Sequence, residues 1–388
     1  MNNQIQQEDK EYVAGTYNRF PVALVSGKGS IATDADGKDY IDMTSGIAVN
    51  SFGFCDEIWQ KAITEQAAKI QHTSNVFYSA PCVKLAHMLC DRTGMKKVFF
   101  SNSGAEANEC AVKTARKYAA DTKGEDCFTI ITLENSFHGR TISMLSATGQ
   151  AHYHELFRPL TPGFVHARAN NFDDILKLTK ENKTAAIMIE CVQGEGGVVP
   201  LNQDYVKKVA DFAKENDILL IVDEVQTGNG RSGRLYSYMN YDIQPDIVST
   251  AKGLGGGLPL GATMLGKKVQ NTLGHGDHGS TFGGNPIACA GAVSILERID
   301  EKLLEGVRRK SKFLFETFTN VKGIESVTGM GLMMGLKTTK PAREVVEECI
   351  KNGVLCLTAK DRVRLLPALN IPDDLLKKAA EVIKKCCE

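Results

Sequence analysis

Residues 247–257 read Ile-Val-Ser-Thr-Ala-Lys-Gly-Leu-Gly-Gly-Gly, so Lys252 directly follows a short apolar run and precedes a glycine-rich loop. Other short apolar runs, each followed by polar or glycine-rich residues, occupy 97–100, 129–133, 185–189 and 218–222. Short apolar runs that alternate with helical segments predict an α/β fold with a mostly parallel sheet covered on both faces. Functional groups collect at the carboxyl ends of such strands, so we expect Lys252 to point into a cleft.

The composition places the chain among globular proteins. It has 388 residues, of which 43% are hydrophobic and 24% are charged, and 46 basic residues balance 46 acidic ones. This balance gives no reason to expect a nucleic acid, a membrane surface or a polyanion as partner, and favours small neutral or zwitterionic substrates. The first ten residues lack the pattern of a secretory signal, and no apolar stretch approaches the roughly 20 residues that span a bilayer. The 11 cysteines include no CxxC pair, so we expect reduced core thiols and a cytoplasmic protein.

The length and the change of pattern along the chain predict more than one domain. Residues 46–285 carry the strand–loop–helix repeats and are expected to form a large domain. Beyond residue 285 the pattern changes to charged amphipathic helices, which predicts a smaller α+β domain over 286–388. The N-terminal segment 1–45 contains a strand signal and is expected to join that smaller domain.

Two strand ends carry groups suited to an anion and to a cation. Ser101-Asn-Ser-Gly104 leads from a strand into a helix that begins near Ala105, and such a helix start exposes N–H groups that bind anions. Plain capping of the helix by Ser or Asn is the alternative. The run 218–222 is followed by Asp223-Glu224, which places two carboxylates at the carboxyl end of a strand. A carboxylate there could pair with a bound cation, such as the protonated nitrogen of a pyridine ring. A capping acid beside a solvated acid is the alternative there.

A lysine in a cleft can form a Schiff base, because removal from water lowers the pKa of its amine. A dinucleotide fingerprint is a weak alternative for Gly253–Gly257, since Leu258 occupies the sixth position of GxGxxG. Two further loops carry an aromatic, an arginine and glutamates: Asn135-Ser-Phe-His-Gly-Arg140 and Glu190-Cys-Val-Gln-Gly-Glu195. Phe137 can stack on a flat ring, and Arg140 can bind a carboxylate through two hydrogen bonds.

No metal site is predicted. The pairs His152 with His154 and His275 with His278 have spacings that could chelate a metal, but neither has a matching third ligand nearby. We interpret all four as loop or surface histidines. Ser103 and Ser280 could act as nucleophiles, but neither lies in a GxSxG motif.

Taken together, these motifs resemble the class III aminotransferases of the fold type I pyridoxal 5'-phosphate (PLP) enzymes, and most closely the acetylornithine and ornithine branch. The resemblance extends over nearly the whole chain. It rests on SNSGAEANECAVKTAR (101–116), NSFHGRT (135–141), ECVQGEGGV (190–198), DEVQTGNGRSG (223–233), AKGLGGGLPLGA (251–262) and HGSTFGGNP (278–286). The resemblance implies a large PLP-binding domain with a mostly parallel sheet, a smaller α+β domain, and a homodimer with its active sites at the interface.

The resemblance also assigns roles to the residues. Lys252 would hold PLP as a Schiff base and transfer the proton, Asp223 would pair with the ring nitrogen, and Phe137 would stack on the ring. The phosphate would be held by Gly104, Ala105 and Thr281 of the partner subunit, and Gln226 would contact the ring hydroxyl. The implied set of cofactor contacts is Ser103, Gly104, Ala105, Phe137, Asp223, Glu224, Val225, Gln226, Lys252 and Thr281.

For substrates, the resemblance implies two carboxylate binders and a switch. Arg140, with Ser280 close by, would bind one substrate carboxylate, and Arg364 would bind the α-carboxylate of glutamate. Glu195 would neutralise Arg364 while the other substrate occupies the site. The catalytic set is then Lys252, Asp223 and Glu195.

The expected reaction transfers the δ-amino group of N2-acetylornithine to 2-oxoglutarate by a ping-pong mechanism that serves arginine synthesis. Gly46, in Ser45-Gly-Ile-Ala-Val-Asn50, stands where ornithine aminotransferases have a tyrosine, and this favours the acetylated substrate. The alternatives are an enzyme for succinylornithine, succinyl-diaminopimelate, ornithine or 4-aminobutyrate, a PLP-binding protein without activity, and an NAD-dependent oxidoreductase. The chain departs from the family pattern at Phe54–Glu57, where Gly-His-x-His-Pro is usual, and at Cys191, where proline is usual.

Overall fold

A computed structural model of the chain describes all 388 residues. The strands are β1 (Leu24–Lys28), β2 (Ile31–Asp34), β3 (Asp39–Asp42), β4 (Lys97–Ser101), β5 (Thr129–Leu133), β6 (Phe164–Ala167), β7 (Thr184–Ile189), β8 (Val192–Gln193), β9 (Val199–Pro200), β10 (Leu219–Asp223), β11 (Ile247–Thr250), β12 (Gly261–Leu265), β13 (Ile324–Met330), β14 (Met333–Thr338), β15 (Val354–Leu355), β16 (Leu357–Ala359) and β17 (Arg362–Leu365). The α-helices are α1 (Asn2–Tyr12), α2 (Ser45–Ala48), α3 (Glu57–Ala67), α4 (Ala80–Thr93), α5 (Gly104–Lys123), α6 (Ile142–Ala147), α7 (Phe172–Glu181), α8 (Gln203–Glu215), α9 (Pro286–Leu296), α10 (Glu301–Phe318), α11 (Ala342–Lys351) and α12 (Asp373–Cys387).

A seven-stranded sheet forms the centre of the molecule, in the order β4-β12-β11-β10-β7-β5-β6. Only β12 runs against its neighbours β4 and β11; the other pairs are parallel. Successive residues of β10 face opposite sides: Leu219 and Ile221 belong to one apolar core, and Leu220 and Val222 to another. A sheet buried on both faces needs apolar residues at every position, which explains the uninterrupted apolar runs. The predicted α/β fold with a mostly parallel sheet is confirmed.

The C-terminal part forms a second, smaller unit. Its antiparallel sheet has the order β13-β14-β17-β16 and shares a core with residues of α11 and α12. The N-terminal strands join this unit, because β3 pairs with β15, and Tyr40 and Ile41 pack in the same core as Val345 and Leu376. The boundaries at 45/46 and 285/286 stay a prediction. Helix α9, which follows the second boundary, packs on α3 and α4, and its Ala288 and Ala292 belong to a core of the central sheet.

The topology brings several loops to one edge of the central sheet. The segments after β4, β5, β10 and β11 all leave the carboxyl ends of strands that point the same way. No helix in the structure combines the length and apolar character that crossing a bilayer requires.

Candidate active site

A cavity of about 430 Å³ lies at this edge of the sheet. It brings together ten of the residues that the sequence singled out: Ser103, Gly104, Ala105, Phe137, Arg140, Glu195, Asp223, Val225, Gln226 and Lys252. Residues from positions 49 to 260 contribute to its lining, so only the folded chain creates it. Its volume is within the range typical of sites for small ligands.

One end of the cavity is the start of helix α5. The Ser103 hydroxyl accepts a hydrogen bond from the Glu106 N–H, and Glu106 in turn accepts one from the Asn102 N–H, at 3.2 and 2.6 Å. This reciprocal arrangement fixes the first turn, whose remaining N–H groups have no partner within the helix. A Cβ at Gly104 would lie 2.6 Å from a methyl group of Val225, so the close packing there requires glycine. The helix start is suited to an anion such as a phosphate.

Asp223, at the end of β10, is held by three donors. Its carboxylate accepts hydrogen bonds from Asn108 Nδ2 at 2.7 Å and from the Val225 N–H at 2.9 Å, and it lies 2.8 Å from His138 Nδ1. Burial alone would lower the pKa of His138, but the hydrogen bond and the charge of Asp223 outweigh burial and raise that pKa. Asp223 is only 3% exposed, so its carboxylate has little freedom to turn away.

Glu190 lies near this carboxylate and also lines the cavity. It accepts hydrogen bonds from the N–H groups of Phe137 and Gly194, at 2.9 and 3.4 Å. Burial, reinforced by the charge of Asp223 and opposed by that of His138, raises the pKa of Glu190 to about 7. Glu190 therefore keeps its proton to a higher pH than an exposed glutamate does.

Lys252 enters the cavity directly after β11. Burial lowers the pKa of Lys252 to about 8, and the charge of Glu195 opposes this shift. The neutral form of the amine, which attacks carbonyl carbons, is therefore accessible near neutral pH. The backbone of Lys252 has a φ of +43°, a left-handed conformation that is uncommon for residues other than glycine.

An ion pair beside the cavity connects the part of the molecule built on the central sheet, the large unit, with the C-terminal small unit. Arg364 on β17 pairs with Glu195, in the loop after β8, and also donates to Gln226 Oε1 at 3.1 Å. Gln226 Nε2 donates to the same Glu195 carboxylate at 3.2 Å. Burial alone would raise the pKa of Glu195, but the charge and hydrogen bond of Arg364 lower it overall. The Glu195 carboxylate is therefore charged at neutral pH.

Arg140 lies at the open side of the cavity. Its guanidinium group is 4.2 Å from the ring centroid of Tyr153 and 5.6 Å from that of Phe137. The two rings contact each other edge to face at a centroid distance of 5.9 Å. Arg140 is exposed and has no carboxylate within salt-bridge distance, so it is available to an anionic ligand.

Four predicted site residues do not line this cavity: Glu224, Ser280, Thr281 and Arg364, although Arg364 contacts the lining residues Glu195 and Gln226. Glu224 is fully buried, and its carboxylate accepts hydrogen bonds from Thr227 and Ser237 at 2.6 Å and from the Tyr238 N–H at 2.8 Å, so it is directed away from the cavity. Ser280 and the exposed Thr281 line a neighbouring cavity with Lys113 and His278. Asn102 lines both cavities, and its side chain donates to the Ser280 hydroxyl at 3.2 Å.

Asn108, His138 and Glu190 also belong to the site, and no role was predicted for them although all three lie in motifs shared with the family. Asn108 follows Gly104 by four residues on one helix, so helical periodicity could have placed it on the face of the anion site. His154 lies in a turn, in agreement with the expected loop or surface position, but it is not at the surface. That residue is buried, and its Nε2 lies 2.7 Å from the Thr148 carbonyl oxygen.

Comparison with known proteins identifies the family. The family model described as Aminotransferase class-III matches residues 12–387. The chain belongs to the class III aminotransferases. Among curated relatives of this aminotransferase, the acetylornithine aminotransferase of Haemophilus ducreyi is 47% identical, with 98% of each chain covered. That of Methanocaldococcus jannaschii is 43% identical, with 93% of this chain and 92% of the relative covered.

Solved structures of other class III aminotransferases have the same fold. The ornithine aminotransferase of Toxoplasma gondii ME49 superposes with a TM-score of 0.96 at 32% identity, covering 100% of this chain and 95% of the other. The N-acetylornithine aminotransferase of Stenotrophomonas maltophilia K279a gives a TM-score of 0.85 at 34% identity, covering 98% and 97%. This aminotransferase is a PLP-dependent enzyme, as its family is.

The residues of the cavity fit that cofactor. A helix start suited to a phosphate, a buried carboxylate suited to a cationic ring nitrogen, and a lysine amine with a lowered pKa all line this cavity. Arg364 Nε and His138 Nε2 are buried and have no hydrogen-bond partner. Both nitrogen atoms can therefore still form a hydrogen bond beside the cavity. The donor set therefore suits an anionic, flat and electrophilic group.

Proposed function

We propose that this enzyme transfers the δ-amino group of N2-acetylornithine to 2-oxoglutarate, reversibly and by a ping-pong mechanism. The observation that carries the proposal is the ion pair between Glu195 and Arg364 beside Lys252. The names of the curated relatives at 47% and 43% identity support the choice of substrate.

Two substrates with different reacting ends must use one site in turn. Glutamate carries a carboxylate on the reacting carbon, whereas the δ-carbon of N2-acetylornithine carries a second hydrogen in its place. A free Arg364 suits the glutamate carboxylate, through two parallel hydrogen bonds. Glu195 neutralises Arg364 when the other substrate is bound, and its side chain is 27% exposed, which leaves it room to move. Arg140 would bind the distal carboxylate that both substrates possess.

The remaining roles follow from the positions around the cavity. The first turn of α5, with Ser103, Gly104 and Ala105, would bind the phosphate of PLP. Phe137 and Val225 would contact the two faces of the ring, Gln226 its hydroxyl group, and Asp223 its protonated nitrogen. The bound cofactor supplies an electron sink for the electrons of the substrate C–H bond. Lys252 would hold the cofactor covalently and then accept the substrate proton at Nζ.

We also propose a cytoplasmic homodimer. Ser280 and Thr281 would serve the cavity of the second copy, so that Thr281 of the partner subunit completes the phosphate site. The apolar residues Val76, Phe77 and Phe282 are strongly exposed. They support an interface on the face that carries Ser280 and Thr281, because exposed apolar patches commonly mark protein–protein contacts. All 11 cysteines are free and eight of them are buried, which supports a reducing compartment. Analytical ultracentrifugation would test the dimer, and a monomer at micromolar concentration would contradict it.

A panel of amino donors, assayed with 2-oxoglutarate, tests the substrate. We expect kcat/KM to be highest for N2-acetylornithine, compared with ornithine, N2-succinylornithine, N-succinyl-diaminopimelate and 4-aminobutyrate. A clear preference for any of the others would refute the proposed substrate.

Gly46 lies in a left-handed turn, with a φ of +63°, so the tyrosine of ornithine aminotransferases would be strained at this position.

A lysine variant tests the reaction class. Lys252→Ala should abolish turnover with an unchanged circular dichroism spectrum, because the work of this amine is covalent and local. The exposed Lys267→Ala is the matched control and should retain full activity. If the wild-type protein binds PLP but releases no 2-oxoglutarate from glutamate, it is a binding protein and the proposed activity is wrong.

A further inference from the structure

The left-handed backbone of Lys252 has to be maintained by its surroundings. A side chain at a φ of +43° crowds the neighbouring carbonyl group, and such residues persist only where other contacts hold them. Lys252 begins a single 3₁₀ turn, Lys252–Leu254, followed by three glycines. This short turn makes few bonds of its own, so the restraint must come from other parts of the chain.

Three side chains donate hydrogen bonds to alternate carbonyl groups around Lys252. Asn229 Nδ2 donates to the Ala251 carbonyl oxygen at 3.2 Å, and Ser51 Oγ donates to that of Gly253 at 3.3 Å. Trp59 Nε1 donates to that of Gly255 at 3.0 Å. The donors come from three separate segments: the loop after β10, the loop after α2, and helix α3. The carbonyl groups on both sides of Lys252 are therefore fixed from outside the segment.

The glycines of the segment allow this close approach. A Cβ at Gly253 would lie 2.7 Å from Ser51 Oγ, and a Cβ at Gly256 would lie 2.9 Å from Trp59 Nε1. Gly257 lines the active cavity on one side, and on the other it lines a small cavity that Trp59 also lines. The indole ring thus supports the glycine segment from behind the active site.

Trp59 is itself held by the part of the chain that departs from the family pattern. Asp56 accepts a hydrogen bond from the Trp59 N–H at 2.9 Å and so caps helix α3. Arg298 pairs with Asp56 at 2.8 Å, and its guanidinium group lies 4.0 Å from the ring centroid of Phe52. Asp56, within this departing segment, therefore helps to hold the helix that carries Trp59.

We propose that Asn229, Ser51 and Trp59 are positioning residues that hold Lys252 in its left-handed conformation and so direct Nζ into the cavity. The proposal rests on the role of Lys252 in the proposed function. Loss of a donor lets the backbone relax and turns Nζ away from its place in the cavity. The amine then meets more water, so its pKa rises from about 8 toward that of an ordinary lysine. Attack on the cofactor becomes slower for both reasons.

The test measures how fast the cofactor-free protein captures PLP on Lys252. The variants are Ser51→Ala and Trp59→Phe, each of which removes one donor and keeps most of the volume. We expect each to capture PLP roughly tenfold more slowly than the wild type, because small displacements of a reacting group have large effects on rate. Capture is followed by absorbance, and its site by mass spectrometry after borohydride reduction. The matched control is Tyr241→Phe, which removes a buried donor to the Cys191 and Leu201 carbonyl groups, away from this segment.

A second measurement needs no cofactor. Pulse labelling of Lys252 with acetic anhydride, over a range of pH, reports the titration of its amine. Its midpoint should lie at higher pH in Ser51→Ala and Trp59→Phe than in the wild type and in Tyr241→Phe. We expect the control to lose some thermal stability and nothing else. If both donor variants behave in the same way, with unchanged PLP capture and unchanged labelling of Lys252, the positioning role is refuted. If the wild-type protein does not capture PLP on Lys252, the proposed function fails instead.

Discussion

Two carboxylates that line the cavity, Asp223 and Glu195, are held in opposite ways, and we call their surroundings the fixed end and the shared end of the site. Asp223 is 3% exposed and has three partners, all of which belong to the large unit. The Glu195 side chain is 27% exposed, and its cationic partner Arg364 comes from the antiparallel sheet of the small unit. One carboxylate is a fixed part of the sheet edge, and the other belongs to a contact that two units share.

This difference matches the work proposed for each end. A ring nitrogen is present in both half-reactions, so its partner gains nothing from mobility. A carboxylate that has to release Arg364 for one substrate must instead be able to return to water at low cost, and a partly exposed side chain can do so. Single substitutions at the two ends should therefore have different signatures.

The largest effect is expected at the fixed end. Asp223→Asn should lower the rate of both half-reactions by roughly a hundredfold or more, and by a similar factor in each, because a charge fixed at the reacting group is lost. Single-turnover measurements with glutamate and with N2-acetylornithine test this. Asp246→Asn is a suitable control, since Asp246 directly precedes the apolar strand β11 and accepts a hydrogen bond from the Leu220 N–H away from the cavity. A loss confined to one substrate would remove the distinction between the two ends.

At the shared end the effect should be smaller and unequal. Arg364→Ala should slow the glutamate half-reaction roughly tenfold to a hundredfold more than the N2-acetylornithine half-reaction, because only glutamate needs the free guanidinium group. Arg362→Ala removes the same charge two residues earlier on β17, where the side chain donates to Thr328 Oγ1 at 3.1 Å, and should affect both substrates little. Equal losses in Arg364→Ala would contradict the switch.

The smallest expected effect is a change in the titration of Lys252. The amine reacts when neutral, so its labelling rate should fall as the pH decreases through the pKa of about 8. Glu195 raises this pKa more than Asp223 does. Glu195→Gln should therefore move the midpoint to lower pH, and by more than Asp223→Asn does. Labelling of the cofactor-free variants measures both shifts, and the opposite order would show that the fixed carboxylate dominates.

Local patterns in the sequence were enough to predict the sheet and much of the site. The uninterrupted apolar runs predict strands buried on both faces, and the residues just after those runs lie at the cavity: Ser103, Asp223 and Lys252. Resemblance to the family was needed for Arg364, since nothing in the local pattern of β17 distinguishes it from Arg362.

The sequence by itself thus determined which residues form the strands and which side chains follow them, because alternation and apolar runs act over a few residues. The tertiary structure decided the pairings between distant positions, such as His138 with Asp223 across 85 residues and Arg364 with Glu195 across 169. It also turned Glu224 into the core, buried His154, and gave Lys252 its left-handed backbone. These features depend on partners that only the folded topology brings within hydrogen-bond distance, and no local pattern records them.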